Sequence, residues 1–273
     1  MSVEQRTSRG TNGVLAACRA GGRAALIGYL PVGYPDVPTS IRAMETLCDN
    51  GIDIVEVGMP YSDPLMDGAV IQRAATQALE RGVRVEDVFR ATAAVRAKGV
   101  PPLVMSYWNL VLRRGVARYA ADLAAAGGAG LITPDLIPDE AQDWIEASEA
   151  QGLDRVFLVA PSSTPERLAI VTEATRGFVY AASTMGVTGA RSSVGDAAAD
   201  LVARTREHTE LPVCVGLGVS TREQAAEIAS YADGVIVGSA LVACLDDPDT
   251  DAGLERLAAL TRELAAGVRE PRR

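Results

Sequence analysis

The sequence predicts an α/β protein of the (β/α)₈ class, a TIM barrel with an extra N-terminal helix. Three observations support this fold. The chain has 273 residues, a usual length for one such barrel. Eight short apolar runs alternate with longer amphipathic segments. The runs are rich in Val, Ile, Leu and Ala without polar alternation, as expected of parallel strands buried on both faces.

The eight predicted strands favour a closed barrel over an open doubly wound sheet. They are AALIGYL, DIVEVG, PLVMSYW, AGLITPD, RVFLVAP, FVYAAS, PVCVGLG and GVIVGSA. No linker rich in Pro and Ser divides the chain. We therefore predict a single domain over residues 1–273, in which the polar ends 1–12 and 266–273 are frayed tails.

Helix signals occupy the segments between the strands. Residues 39–51 show apolar side chains at helical spacing and end at Gly51, and Gly152 ends another predicted helix. Thr164 precedes Pro165 and predicts a helix start, because threonine caps helices and proline suits the first helical position. Further helices are predicted at residues 12–21, 69–81 and 85–98.

Composition argues against several classes of protein. The formal net charge of −9 disfavours nucleic-acid binding, although local backbone donors could still bind a small phosphate. The four cysteines are scattered and there is one histidine, so we expect reduced thiols and no metal site. No apolar run reaches the roughly 18 residues of a membrane span, and the N-terminal segment lacks the apolar core of a signal peptide. We expect a soluble cytoplasmic protein.

Three carboxylates follow one another around the second predicted strand, in IVEVGMPYSDPLMDGAVIQ, residues 54–72. Glu56 lies inside the apolar run, while Asp63 and Asp67 lie in the loop after it. Barrel enzymes place their chemistry at the carboxyl ends of the strands, so we predict an active site here. If Glu56 points into the barrel, desolvation raises its pKa and suits it to proton transfer near neutral pH.

Each of these acids also has a purely structural interpretation. Glu56 could point toward the helices, or it could be a buried acid paired with an arginine or lysine. Asp63, in SDP, could order the loop by accepting hydrogen bonds from backbone amides. Asp67, in DG, could be a turn residue. The spacing alone leaves these alternatives open.

Glycine-rich turns follow the last three predicted strands, in TMGVTGARSS, VGLGVS and VGSA. Barrels commonly bind phosphate in the loops after strands seven and eight, and glycine lets the backbone approach the ligand. The predicted phosphate-binding residues are Gly189, Gly218, Gly238 and Ser239. The alternative is that these are ordinary strand-to-helix turns. The segment GVTGARSSVG predicts either a lid over the barrel mouth or a surface loop with no role.

The segment VEVGMPYSDPLMDGAVIQ, together with the GVTG, GLG and GSA turns, resembles the tryptophan synthase alpha subunit family over roughly residues 14–245. The resemblance implies retro-aldol cleavage of indole-3-glycerol phosphate to indole and D-glyceraldehyde 3-phosphate in L-tryptophan biosynthesis. It implies that Glu56 transfers protons and that Asp67 faces the indole. It also implies that this chain uses no metal and no cofactor of its own.

The resemblance assigns further roles. Asp63 would organise the loop after the second predicted strand that carries Asp63 and Asp67, here called the acidic loop. Tyr180 would lie near the catalytic acid, and Thr188 would help to align Asp67. Asp135 would contact a partner, the beta subunit, in an alpha2beta2 heterotetramer. That subunit carries pyridoxal phosphate and receives the indole. Tyr180 could instead be a core aromatic residue, and Asp135 a turn acid.

Three positions depart from the family pattern, namely Ala69, Met185 and Trp108, and they leave loop dynamics and the shape of the indole pocket open. Other functions also remain possible on the sequence. The chain could be a free-standing indole-releasing lyase, or another phosphate-binding barrel isomerase, epimerase or lyase. It could also be an inactive barrel that only activates the beta subunit. Retention of both Glu56 and Asp67 argues against the inactive form.

Overall fold

A nearly closed barrel of nine parallel strands forms the centre of the protein. The structure is a computed structural model and describes residues 10–64, 67–182, 191–216 and 218–270. The strands are β1 (Ala25–Pro31), β2 (Ile54–Gly58), β3 (Pro102–Met105), β4 (Gly130–Ile132), β5 (Asp154–Val156), β6 (Leu158–Val159), β7 (Val179–Ala182), β8 (Val213–Gly216) and β9 (Gly234–Val237). Their spatial order is β5-β4-β3-β2-β1-β9-β8-β7-β6. The predicted TIM-barrel class is confirmed.

The fifth of the eight predicted strands is divided at Phe157, and the third, predicted over residues 102–108, ends at Met105 because a helix begins at Trp108. Strand β5 pairs with β4 and β6 pairs with β7, so both neighbours are present. The Phe157 carbonyl accepts a hydrogen bond of 3.1 Å from the Tyr180 N–H. Strands β5 and β6 therefore form one wall of the barrel, with a single-residue break in its strand geometry.

Helices surround the barrel and follow the strands along the chain. They are α1 (Asn12–Ala20), α2 (Val37–Asp49), α3 (Ala69–Glu80), α4 (Val85–Ala97), α5 (Trp108–Arg114), α6 (Val116–Ala125), α7 (Gln142–Gln151), α8 (Pro165–Ala174), α9 (Arg191–Arg206), α10 (Arg222–Ala229), α11 (Ser239–Cys244) and α12 (Thr250–Val268), with a 3₁₀ helix at Pro138–Glu140. The predicted helices at 12–21, 69–81 and 85–98 are confirmed as α1, α3 and α4. No helix in the described ranges has the length and apolar character needed to cross a membrane.

Local helix signals act as predicted. The Thr164 hydroxyl oxygen accepts a hydrogen bond of 3.3 Å from the Arg167 N–H at the start of α8. Gly152 follows α7 with φ +65°, in the left-handed region that favours glycine.

The core has two layers. The inner layer fills the barrel and contains Ile27, Ile54 and Phe178, while the outer layer between strands and helices contains Val55 and Val57. Helix α1 lies at the amino-terminal end of the barrel, where Leu15 and Cys18 pack against the inner layer. The extra N-terminal helix therefore closes this end, and the carboxyl ends of the strands are left for a site.

The predicted frayed tails are wrong where the structure describes them. Thr11 is fully buried, and its N–H and hydroxyl donate hydrogen bonds of 2.7 and 2.8 Å to Asp154 Oδ2. At the other end Val268 is buried, and its carbonyl accepts a hydrogen bond from the Ala24 N–H. The Arg222 guanidinium donates to Glu270 at 2.9 Å. The polar composition of the two ends predicted tails because it does not show that Thr11 and Glu270 have hydrogen-bond partners far away in the sequence. Residues 1–9 and 271–273 lie outside the described ranges.

Candidate active site

Glu56 lies in the middle of β2, and its side chain points into the barrel. Ile54, two residues earlier, belongs to the inner core, whereas Val55 and Val57 belong to the outer layer, as strand alternation requires. Glu56 is only 1% exposed and lines a cavity of about 250 Å³ at the carboxyl ends of the strands. The outward orientation considered from the sequence is therefore ruled out.

No base neutralises Glu56 within the described part of the chain. Its Oε1 atom is buried and has no hydrogen-bond partner there, so the interpretation as half of a buried ion pair finds no support. Burial raises the pKa of Glu56 to about 8, because the charged form is poorly solvated inside the barrel. The carboxyl group is thus mainly protonated at neutral pH.

Asp67 lines the same cavity from the loop between β2 and α3. It is half-buried, and burial raises its pKa to about 6, so it is mainly ionised at neutral pH. The Gln72 side-chain amide donates a hydrogen bond of 2.9 Å to the Asp67 carbonyl, and the Asp67 N–H donates to the Pro64 carbonyl at 3.3 Å. Helix α3 therefore holds the acid through Gln72, which the sequence analysis did not single out.

Two tyrosines stand beside the two acids. Tyr180, predicted to lie near the catalytic acid, lines the cavity from β7, and Tyr29 lines it from β1. Burial, followed by the charges of Glu56 and Asp67, raises the pKa of both phenols well above the usual value, so both stay protonated. Tyr29 was missed because a tyrosine in the run AALIGYL reads as an ordinary core residue. The available signal was its place on the strand next to Glu56.

The glycine turns after β8 and β9 line the same cavity. Gly218 has φ +66°, and apart from its chain neighbours no atom of the described residues lies within 4 Å of the position that a Cβ would take, so its backbone borders open space. Gly238 immediately precedes α11, whose first amide groups have no partner within the helix. Three predicted phosphate-binding residues, Gly218, Gly238 and Ser239, thus come together.

Four other residues that the sequence singled out stand apart from this cavity or lie where the structure is not described. Thr188, Gly189 and Met185 lie outside the described residues. Asp63 is exposed, does not line the cavity, and accepts a hydrogen bond of 2.7 Å from the Ser62 hydroxyl.

Asp135 lies on the loop after β4 and acts on the neighbouring helix. Its two carboxylate oxygens accept hydrogen bonds of 2.9 and 3.1 Å from the Trp108 N–H, the first amide of α5. The Trp108 ring packs edge-on against Trp144 with a centroid distance of 6.5 Å, and it does not line the cavity. Trp108 therefore does not contribute to the wall of the cavity. The sequence did not assign the capping role of Asp135.

Fold and site together define the class of protein. A nearly closed parallel barrel presents a buried protonated acid, a second ionised acid and glycine turns in one cavity at the carboxyl ends of its strands. Among the described residues no group of three or more His, Cys, Asp or Glu side chains is placed to hold a metal ion. The arrangement is that of a barrel enzyme whose site can donate and accept protons.

Comparisons with known proteins agree with this class and narrow it. The family model for the tryptophan synthase alpha chain matches residues 15–269. The tryptophan synthase alpha chain of Mycobacterium avium is 63% identical over 99% of this chain and 98% of its own length. A structure of Mycobacterium tuberculosis tryptophan synthase superposes with a TM-score of 0.89 at 63% identity, covering 95% of this chain and 98% of that one. A mutant tryptophan synthase alpha subunit from Pyrococcus furiosus gives a TM-score of 0.81 at 33% identity, with 89% and 98% covered.

The chain belongs to the tryptophan synthase alpha chain family. It is accordingly a lyase of tryptophan biosynthesis.

Proposed function

We propose that the chain cleaves indole-3-glycerol phosphate into indole and D-glyceraldehyde 3-phosphate, with Glu56 and Asp67 as its catalytic residues. The observation that carries the assignment is the environment of Glu56. A carboxyl group buried in an apolar barrel, without a neutralising base in the described part, remains a proton donor at neutral pH. Family membership supports the reaction itself.

The different pKa values of the two acids suit them to different steps. Protonated Glu56 gives its proton to C3 of the indole, and the resulting carboxylate then takes the proton of the side-chain hydroxyl. The bond between C3 and the side-chain carbon breaks, its electron pair returns to the indole ring, and the hydroxyl carbon becomes the aldehyde. Ionised Asp67 stabilises the positive charge that the ring nitrogen carries between these steps.

The remaining cavity residues support binding. The backbone amides at Gly218, Gly238 and Ser239 suit a phosphate group, which lets an otherwise acidic protein bind an anionic substrate locally. The proposal also includes two residues that follow β7 in the sequence. Gly189 donates a hydrogen bond to the phosphate, and Thr188 is a partner of the acidic loop. Tyr180 bounds the cavity beside Glu56, and Asp63 belongs to the acidic loop without touching the cavity.

The family implies a beta-subunit partner. We propose an alpha2beta2 heterotetramer in the cytoplasm, in which the beta subunit carries pyridoxal phosphate and receives the indole. This chain needs no cofactor for its own reaction, since each step moves only protons and one carbon–carbon bond pair. Asp135 is exposed, and this position is compatible with partner contact in addition to the capping of α5.

The test is indole release from indole-3-glycerol phosphate, with and without a beta subunit. Glu56→Gln keeps the size of the side chain but cannot transfer a proton, so we expect the rate to fall by about 10²–10⁴-fold. Glu80→Gln, at an exposed acid that ends α3, is the matched control and should retain the wild-type rate. Indole release by Glu56→Gln at a near wild-type rate would refute the assignment.

The same assay separates the other functions. A sugar-phosphate isomerase or epimerase would release no indole from any preparation of the wild-type chain. An inactive barrel would also release none, yet it would enhance the serine chemistry of an added beta subunit. The inactive form is disfavoured because binding alone gives no reason to bury a carboxyl group whose Oε1 atom has no hydrogen-bond partner among the described residues, which costs folding free energy.

A further inference from the structure

Tyr29 lies between the acids and the glycine turns. Its strand, β1, pairs with β2 on one side and with β9 on the other. Tyr29 is in register with Glu56, is only 7% exposed, and lines the cavity. Because β1 lies between β2 and β9, a ligand that extends from Glu56 to Gly238 passes alongside the Tyr29 side chain.

Two glycines fix how the phenol ring lies. A Cβ at Gly58 would fall 2.5 Å from the Tyr29 hydroxyl oxygen, closer than real side chains allow. A Cβ at Gly238 would lie 3.6 Å from Tyr29 Cδ1, at the other end of the ring. The ring therefore leans from the β9 turn toward β2. Its hydroxyl lies over Gly58, two residues closer to the barrel mouth than Glu56.

The Tyr29 hydroxyl is an available hydrogen-bonding group. It is protonated, since burial and the charges of Asp67 and Glu56 raise the pKa of Tyr29, and it makes no hydrogen bond within the described residues. Phenols buried in proteins usually find a polar partner. The titratable groups whose charges act on it are Asp67 from the acidic loop, Glu56 from β2 and Tyr107 from the loop after β3. A ligand in the cavity can supply the missing partner.

We propose that Tyr29 is a specificity-determining residue whose hydroxyl hydrogen-bonds the polyol segment of the substrate, between the reacting carbon and the phosphate. This rests on the proposed function, which puts the indole beside Asp67, the breaking bond at Glu56 and the phosphate at the glycine turns. A phenol both donates and accepts hydrogen bonds, so it suits a secondary hydroxyl. The ligand class is a short hydroxylated chain ending in a phosphate.

An enzyme accelerates a reaction in both directions. In the reverse direction indole and glyceraldehyde 3-phosphate are separate reactants, so each has its own KM. Tyr29→Phe keeps the ring between Gly58 and Gly238 but removes the hydroxyl. Loss of one hydrogen bond to the polyol should raise the KM for glyceraldehyde 3-phosphate about 3- to 10-fold and leave the KM for indole within about twofold. A residue that merely shaped the indole pocket would raise the KM for indole instead.

The matched control is Tyr119→Phe. Tyr119 is also a buried phenol, but it packs against Phe89 with a centroid distance of 5.4 Å and does not line the cavity. Neither KM should change in this variant, and thermal unfolding confirms that both variants are folded. An unchanged KM for glyceraldehyde 3-phosphate in Tyr29→Phe, or an increase confined to indole, would overturn the role of Tyr29.

A binding measurement keeps this inference separate from the proposed reaction. Titration calorimetry of the full chain with glycerol 3-phosphate and with inorganic phosphate compares ligands with and without the polyol. Tyr29→Phe should weaken binding of glycerol 3-phosphate by about 3- to 10-fold and leave inorganic phosphate unaffected. Equal affinities for glycerol 3-phosphate in both proteins would contradict the inference. Failure of the wild-type chain to release indole would refute the proposed function instead.

Discussion

At the scale of a residue, the protein holds an acid where an acid is unfavourable. Glu56 is surrounded by an apolar barrel, and no described side chain satisfies its Oε1 atom. A buried polar atom without a partner costs folding free energy. The same desolvation that causes this cost keeps the proton on the carboxyl group at neutral pH. Stability and reactivity are therefore coupled at this one side chain.

This coupling predicts how stability depends on pH. The pKa of Glu56 is raised on folding from 4.5 to about 8, so the folded protein holds this proton more tightly than the unfolded chain. The contribution of Glu56 to the free energy of unfolding is fully present below pH 4.5 and is lost as the pH rises to about 8. Residue 56 does not titrate in Glu56→Gln. As the pH rises over this range, the free energy of unfolding of the variant relative to that of the wild type should increase by an amount on the order of a few kcal/mol.

Urea unfolding of both proteins between pH 4.5 and 9 measures this difference. All other titrating groups are common to the two proteins and cancel in the comparison. Asp67, whose pKa is raised from 3.8 to about 6, acts in the same direction at lower pH and also cancels. Parallel stability curves for wild type and Glu56→Gln would show that the carboxyl group is not desolvated.

The sequence predicted which residues form the site better than it predicted their protonation states. An acid inside the apolar run of the second strand and another in DG indicated Glu56 and Asp67. Their order of pKa values follows from how much water each keeps, which depends on side chains from other strands. Tyr29 and Gln72 were missed for the same reason, since each gains its role from a neighbour that is distant along the chain or across a turn.

At the scale of elements, the loops at the carboxyl ends of the strands support one another. The loop after β4 reaches back to the helix after β3, where Asp135 caps α5. Tyr107, which directly precedes α5, stacks on Tyr61 of the acidic loop at a centroid distance of 4.7 Å. The loop that carries Asp67 is therefore held by two contacts, the stacking of Tyr61 on Tyr107 next to α5 and the hydrogen bond from Gln72 of α3.

The capping role of Asp135 can be separated from its expected role at a partner surface. Asp135→Ala removes the acceptor for the Trp108 N–H and should lower the free energy of unfolding by about 0.5–2 kcal/mol. Asp135→Asn retains an oxygen acceptor and should unfold close to the wild type. Denaturant unfolding checks both variants. Equal stability of the Ala variant and the wild type would show that the cap contributes nothing.

Most elements could be predicted because their signals are local. The starts and ends of α1, α3 and α4 lie within one residue of the predicted ones. The break at Phe157 could not be predicted, because it arises from pairing with strands on both sides of the barrel. The burial of Thr11 likewise depends on Asp154, 143 residues away.

At the scale of the whole molecule, the two ends of the barrel have different tasks. The carboxyl ends of the strands carry the acids, the phenols and the glycine turns of the cavity. The amino-terminal end is closed by α1, whose Leu15 and Cys18 extend the inner core toward Ile27 and Phe178. A change at the closed end should therefore alter stability without altering the chemistry.

Leu15→Ala tests this division of labour. Leu15 is 2% exposed, so truncation leaves a cavity under the barrel and should lower the free energy of unfolding by about 2–4 kcal/mol. Leu15→Met keeps the volume and should cost less than about 1.5 kcal/mol. Because the acids are positioned by β2 and α3 at the opposite end, the rate of indole release per folded molecule should equal that of the wild type in both variants. A reduced rate in folded Leu15→Ala would mean that a change in packing at α1 alters the position of Glu56. In that case α1 helps to position the catalytic acid as well as closing the barrel.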